Sequence, residues 1–177
     1  MNSWRQITHK IETHGGDRSL GALAGFLGLA YGVAAVGGVS TSESVDGWYR
    51  TIRKPSWNPP DWVFGPVWTV LYTLIGIAAW LVRRRAVTTP QQRPAARMAL
   101  AAWGIQLALN LAWSLVFFGQ RSIGGGLGVI ACLCGAVGAC VALTARVSPA
   151  AAGLLAPYLA WTTFAAAINL QVWRLNR

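Results

Sequence analysis

Five stretches of this chain carry no charged residue, and each is long enough to cross a bilayer as a helix. They cover residues 19–42, 62–82, 98–120, 122–145 and 147–173, with lengths of 24, 21, 23, 24 and 27 residues. A hydrocarbon core about 30 Å thick needs roughly 20 apolar residues in helical form. Inside lipid every backbone N–H and C=O must be paired within the protein, which leaves only helices or a closed barrel. Apolar runs of this length without two-residue alternation exclude the barrel. The expected fold is therefore an all-α membrane protein, a bundle of five transmembrane helices. Composition agrees: 54% of residues are hydrophobic and 11% charged, against about a quarter charged in soluble domains.

The charges mark the ends of the runs. The net charge of +10 raises the question of nucleic acid. The cations are scattered over both ends of the spans rather than gathered on one face, so no nucleic-acid partner is expected. Lys and Arg bias gives the orientation. Nine lie on the side that holds the N-terminal segment, loop 83–97 and Arg146; six lie on the side of loop 43–61, Arg121 and the C-terminus. In a bacterial cell membrane this places the N-terminus in the cytoplasm and loop 43–61 outside. Residues 1–18 read as a polar N-terminal extension, a cytoplasmic or disordered lead-in to a membrane domain over 19–177. The first run exceeds the 7–15 residues of a secretory-signal core, so it reads as a span.

Cys132, Cys134 and Cys140 fall within the fourth run. Their spacing matches no usual zinc pattern and no His or acid accompanies them, so they read as buried small apolar residues. His9 and His14 lie in the polar extension and read as solvated. No metal site is expected. Glycines at 21, 25, 28 and 32 share a helical face in the first run. Gly124, Gly128, Ala131, Gly135, Gly138 and Ala142 do so in the fourth. Small stripes let helix backbones approach, so they read as packing surfaces, against a neighbour in the bundle as the first expectation and against a second subunit as the alternative. In the loop, Asn58 is expected to cap the second span, with Pro59 at its first position and Asp61 in its first turn.

The chain holds ten tryptophans. Trp57, Trp62, Trp80 and Trp173 sit at span ends, where an interfacial belt is expected. Trp68, Trp103, Trp113 and Trp161 fall deeper. Phe64, Trp68 and Tyr72 share one face of the second span. Gln106, Asn110, Trp113, Ser114 and Phe117 share one in the third, and Tyr158, Trp161, Ala165 and Asn169 roughly share one in the fifth. The polar members have two readings: hydrogen bonds between helices, or part of a pocket. Three such faces together favour a pocket for a flat, mostly apolar ligand. No span contains an acid, a base or a His, which argues against a proton-coupled transporter, an ion pump or an axial-His haem protein. No paired carboxylates, no nucleophile with a base and no phosphate loop are present, so no conventional catalytic residue is assigned.

Three segments carry a family resemblance. The first is Trp48-Tyr49 with Lys54-Pro55-Ser56-Trp57-Asn58-Pro59-Pro60 and Val63-Phe64-Gly65-Pro66-Val67-Trp68-Thr69-Val70-Leu71-Tyr72. The second is Asn110-Leu111-Ala112-Trp113-Ser114 with Phe117-Phe118-Gly119. The third is Pro157-Tyr158-Leu159-Ala160-Trp161, continuing to Phe164-Ala165, Asn169 and Asn176. Together they resemble the TspO/MBR family, the tryptophan-rich sensory proteins related to the mitochondrial translocator protein. The resemblance covers about residues 19–177. It implies a five-helix bundle, often a homodimer, whose pocket is lidded by the loop after the first helix. It implies ligands such as protoporphyrin IX, haem and benzodiazepine-type compounds, with no further cofactor required.

Carried over by position, the family's pocket residues fall on Tyr49, Pro59, Trp68, Tyr72, Asn110, Trp113, Trp161 and Ala165. The faces above add Phe64 and Phe117. Some bacterial members are linked to light-dependent porphyrin breakdown, and the tryptophans implicated there correspond to Trp68 and Trp161. The animal cholesterol pattern needs a Tyr shortly before an Arg near the last helix end. Here the stretch reads Asn169-Leu170-Gln171-Val172-Trp173-Arg174, which speaks against cholesterol. The expected function is tetrapyrrole binding by a sensory or regulatory membrane protein. Porphyrin degradation or porphyrin or sterol transport are the alternatives.

Overall fold

The computed structural model describes residues 3–45 and 47–177, and the side chains of all of these except residues 3–18 and 43. Helix α1 runs Ser3–Val45, α2 is a single turn at Trp48–Thr51, and α3 runs Asp61–Thr88. A 3-10 turn at Pro90–Gln92 leads into α4, Arg93–Ser114, which continues as a π-helical turn over Leu115–Gly119. Helices α5, Ile123–Ala145, and α6, Pro149–Leu175, complete the chain. Among the described residues, five segments are long and apolar enough to span a membrane: Ser19–Ser42, Asp61–Thr88, Pro90–Gly119, Ile123–Ala145 and Pro149–Leu175. All five expected spans are thus present. The helix holding the first one starts at Ser3, so the polar extension is helical rather than irregular.

The helix starts follow from their sequences. Ser122 and Ser148 each accept a backbone N–H three residues on, from Gly125 and Ala151, both at 3.3 Å. Each thereby satisfies one of the free donors of a first turn. Helix α3 begins differently from the expectation. Asn58 does not cap it; Pro60 holds the N-cap position and the helix starts at Asp61. The reason is local. Pro59 precedes Pro60, and a residue before proline is driven out of the α region. The Asn58 amide is used instead within the loop, accepting from the Tyr49 hydroxyl at 3.1 Å and donating to the Pro59 carbonyl at 2.9 Å.

Around the bundle the helices follow the order α1, α3, α6, α5, α4, with α4 closing against α1 and also touching α3. Gly76 lets α1 come close to α3: a Cβ there would lie 2.7 Å from Leu27 Cδ2 and 3.3 Å from Leu27 Cα. Gly126 does the same for α5, where a Cβ would lie 2.7 Å from Phe117 Cδ2. The long glycine stripes do not pack this way. Gly21, Gly25, Gly28 and Gly32 are exposed, and a Cβ added to any of them would meet no atom within 4 Å; Gly128 and Gly135 are likewise open. The α1 stripe and Gly128 and Gly135 of α5 therefore face away from the bundle, which corrects the expectation of within-bundle packing there, whereas a Cβ at Gly124 would meet Trp173 of α6 at 3.5 Å. The close contacts fall at other glycines because the buried faces of α1 and α5 are rotated from the stripes. Cys140 is buried as expected, whereas Cys132 is exposed on the outer face of α5 and Cys134 lies between.

Candidate functional site: an aromatic cavity between three helices

Two buried asparagines tie the bundle together. Asn110 is 1% exposed. Its Oδ1 accepts from the Tyr72 hydroxyl at 2.6 Å and its Nδ2 donates to the Tyr158 hydroxyl at 3.0 Å. This joins α3, α4 and α6. Asn169 accepts from the Trp113 indole at 3.2 Å and donates to the Ile123 carbonyl at 3.1 Å, joining α4, α5 and α6. In lipid such bonds are worth about 0.6 kcal/mol each on average, with maxima near 1.7. Both amides are used between helices.

Beside these nodes, toward the end that carries the α1–α3 loop, lies a cavity of about 530 Å³. Helix α1 lines it with Tyr31, Ala34, Gly37, Gly38 and Thr41. Helix α3 contributes Asp61, Phe64, Gly65, Trp68, Thr69 and Tyr72, and the α4 end contributes Trp113, Ser114 and Phe118; Tyr49 closes it from the loop. The aromatic walls support one another. Trp68 lies 5.5 Å from Tyr72 and 6.3 Å from Tyr158, and Trp113 stacks on Phe117 at 5.7 Å and 19°. Such ring pairs add about 0.5–1.5 kcal/mol beyond their area burial.

The π-helical turn shapes one wall. The Gln120 N–H bonds the Leu115 carbonyl at 2.8 Å, which inserts an extra residue into the turn. Phe117 thereby packs behind the cavity against Trp113, while Phe118 faces it. Ser44 anchors this turn to α1 by donating to the Phe118 carbonyl at 2.6 Å. π-turns inside α-helices recur at functional sites.

Over this end the loop is pinned. The Arg53 N–H donates to Asn176 Oδ1 at 3.0 Å, and Asn176 Nδ2 donates back to the Arg53 carbonyl at 2.8 Å. Trp48 and Tyr49 pack edge-on to Phe117 at 5.7 and 6.3 Å, and Trp57 packs on Phe164 at 5.8 Å. Lys54 Nζ lies 4.2 Å from the centre of the Tyr49 ring. Burial, with a smaller contribution from the negative charge of Asp61, pushes the Tyr49 phenol up to about 12, against the lowering effect of its bond to Asn58.

The structure brings Tyr49, Phe64, Trp68, Tyr72 and Trp113 to the cavity, as the sequence suggested. Pro59, Asn110, Phe117, Trp161 and Ala165 lie off it. Asn110 stands behind Tyr72, and Phe117 stands behind Trp113. Trp161 sits behind Phe64 at 5.9 Å and lines an apolar groove on the outer side of α3 and α6 with Pro66 and Pro157. Ala165 is buried in the core. The α6 face therefore packs the bundle rather than walling the cavity, because the polar groups of Tyr158 and Asn169 already bond to α4 and α5. Helix α1 supplies the missing wall. Nothing in its small, apolar sequence marks that face, and the π-turn shifts the register that would have pointed to Phe118.

Comparison with known proteins fits this geometry. Residues 26–174 match the sequence profile of the TspO/MBR family. The chain belongs to the TspO/MBR family. It is 38% identical over 154 residues to the tryptophan-rich protein TspO of Chlorobaculum tepidum, covering 87% of this chain and 95% of that protein. It is 43% identical over 129 residues to the translocator protein of Homo sapiens, covering 73% and 75%. It is 36% identical over 147 residues to the tryptophan-rich sensory protein of Cereibacter sphaeroides, covering 81% and 88%. As a TspO/MBR protein with five spanning segments, it is a multi-pass integral membrane protein. The match reaches into every span, so the cavity lies within the family's domain.

Proposed function

We propose that this protein binds a tetrapyrrole such as protoporphyrin IX or haem in the α1–α3–α4 cavity and acts as a sensory or regulatory membrane protein. The observation that supports this best is the cavity itself. It measures about 530 Å³ and is walled by Phe64, Trp68, Tyr72, Trp113 and Phe118, within the 300–1,000 Å³ range of small-molecule sites. Flat ring walls suit a flat apolar body, and benzodiazepine-type compounds share that property. The names of its relatives, a sensory protein and a translocator protein, are compatible with such a role. The reading places the protein in a bacterial cell membrane with the N-terminus in the cytoplasm, from the Lys and Arg bias. It also pairs two copies through an outward-facing small-residue stripe. Sterol is not the expected ligand.

A second reading, light- or oxygen-dependent porphyrin breakdown, draws on Trp68, which lines the cavity; its other tryptophan, Trp161, is separated from the cavity by Phe64. Titration of the purified protein with protoporphyrin IX, in light and in dark, tests both. Saturable binding with an unchanged Soret band supports binding alone. Light-dependent loss of that band beyond the bleaching of free porphyrin supports breakdown, and absence of saturable binding removes the tetrapyrrole reading.

A further inference from the structure

The polar groups around the cavity differ in what they have left to offer a ligand. A hydroxyl has one hydrogen to donate and two lone pairs with which to accept. On α1, the Thr41 hydroxyl donates to the Gly37 carbonyl at 2.8 Å and that of Ser42 to the Val39 carbonyl at 2.9 Å. On α3, Thr69 donates to the Gly65 carbonyl at 2.9 Å, and Tyr72 donates to Asn110. Tyr49 donates to Asn58. Tyr31 lies 3.2 Å from the Thr69 carbonyl and 2.7 Å from Thr73 Oγ1, so its hydrogen is committed to the α1–α3 seam. These hydroxyls retain lone pairs but no hydrogen. Among the described wall residues, Ser114 alone keeps a hydroxyl hydrogen uncommitted.

Among the described residues, one charged side chain lines the cavity, and it is an acid. Asp61 stands exposed in the first turn of α3, with no Lys or Arg among the described wall residues. Lys54 is engaged on the Tyr49 ring and does not line the wall. A carboxylate only accepts hydrogen bonds. It stands in the first turn of α3, near the positive end of the helix dipole, and its negative charge acts on Tyr49. Among the described residues the wall is therefore apolar and aromatic, with one negative charge, no positive charge, and two uncommitted donors, the Ser114 hydroxyl and the Trp68 indole N–H.

We propose that this cavity selects ligands whose polar end donates hydrogen bonds or carries positive charge, with Asp61 as the specificity-determining residue. Among flat ligands of one ring system, including the tetrapyrroles, those bearing an amine or ammonium group bind more tightly than those ending in free carboxylates. A body ending in free carboxylates meets like charge at Asp61, with only the Ser114 hydroxyl and the Trp68 indole N–H as spare donors among the described wall residues. The proposal rests on the tetrapyrrole reading for the flat body and adds the chemistry of its polar end.

Three probes that share one ring system test it: protoporphyrin IX, its dimethyl ester, and its bis(2-aminoethyl) amide. Dissociation constants are measured by tryptophan quenching on the full chain in detergent, at low and high salt. The expected order of affinity is amine, then ester, then free acid, with the amine ahead of the acid by about tenfold at low salt. The gap should narrow at high salt. Asp61→Asn should shrink it at least threefold and Asp61→Glu should keep it. Circular dichroism on both variants establishes that the helices remain. An equal gap in the wild type and Asp61→Asn would overturn the proposal and leave the tetrapyrrole reading standing, with Asp61 serving only the helix end. Failure of all three probes to bind the wild type would overturn both.

Discussion

Replacing Asn110 by Leu tests whether this amide holds the bundle or meets the ligand. The side chain is 1% exposed and makes two interhelical bonds, to the Tyr72 hydroxyl at 2.6 Å and the Tyr158 hydroxyl at 3.0 Å. At about 0.6 kcal/mol on average and up to about 1.7 for each such bond in a membrane protein, their loss should cost about 1–3 kcal/mol. Leu is more at home in an apolar core, which pulls the net toward the lower figure. Tyr72→Phe removes one of the same two bonds and should cost about 0.5–1.5 kcal/mol. The two single losses share a bond, so the double variant should be more stable than their sum by about 0.6–1.7 kcal/mol. Reversible unfolding in mixed detergent reads all four proteins. Asn110→Leu also frees the Tyr72 hydroxyl hydrogen at the cavity wall, which should improve the relative affinity of a carboxylate-ended porphyrin. Strictly additive losses would refute the node. An Asn110→Leu variant of unchanged stability that no longer binds porphyrin would put the amide in the cavity instead.

Three further outcomes follow from contacts in the bundle. Trp68→Ala should weaken protoporphyrin binding more than Trp161→Ala, because Trp68 lines the cavity and Trp161 lies behind Phe64; quenching titrations on both variants give the ratio, and the reverse order would contradict it. Gly126→Val should destabilise the protein by about 1–3 kcal/mol through overpacking, since even a Cβ there lies 2.9 Å from Phe117 Cβ and 3.2 Å from Asn169 Oδ1; a melting temperature equal to wild type would refute the contact. Asn176→Ala should speed tryptic cleavage after Arg53, because two bonds between Asn176 and Arg53 pin the loop; unchanged digestion would mean that other contacts hold it.

The spans were legible because lipid imposes a length and forbids charge, and both can be read along the chain. The buried nodes were legible in part: Asn110 and Asn169 had to face inward, yet sequence left open whether they met helices or ligand. In the structure the two tyrosines, Trp113 and the Ile123 carbonyl take up the bonds each amide makes. Three things were hidden. Helix α1 comes close to its neighbours at Leu27 against Gly76 and at Gly37 against Ser114, positions that the periodicity of its glycine stripe does not mark. The face of Phe118 depends on an extra residue in a π-turn, which breaks the spacing rule used to read faces. The start of α3 depended on weighing Asn58 as a cap against Pro60, whose ring keeps Pro59 out of the helix.

The central claim, a flat ligand held between α1, α3 and α4, is tested most directly by filling that space. Gly38 lines the cavity and has no atom within 4 Å of an added Cβ. Gly38→Phe should therefore place a ring into the cavity without displacing its neighbours. Protoporphyrin IX affinity and melting temperature are measured together on this variant and on wild type. At least tenfold weaker binding at an unchanged melting temperature is the expected result. Wild-type affinity with the cavity filled would place the ligand elsewhere on the protein.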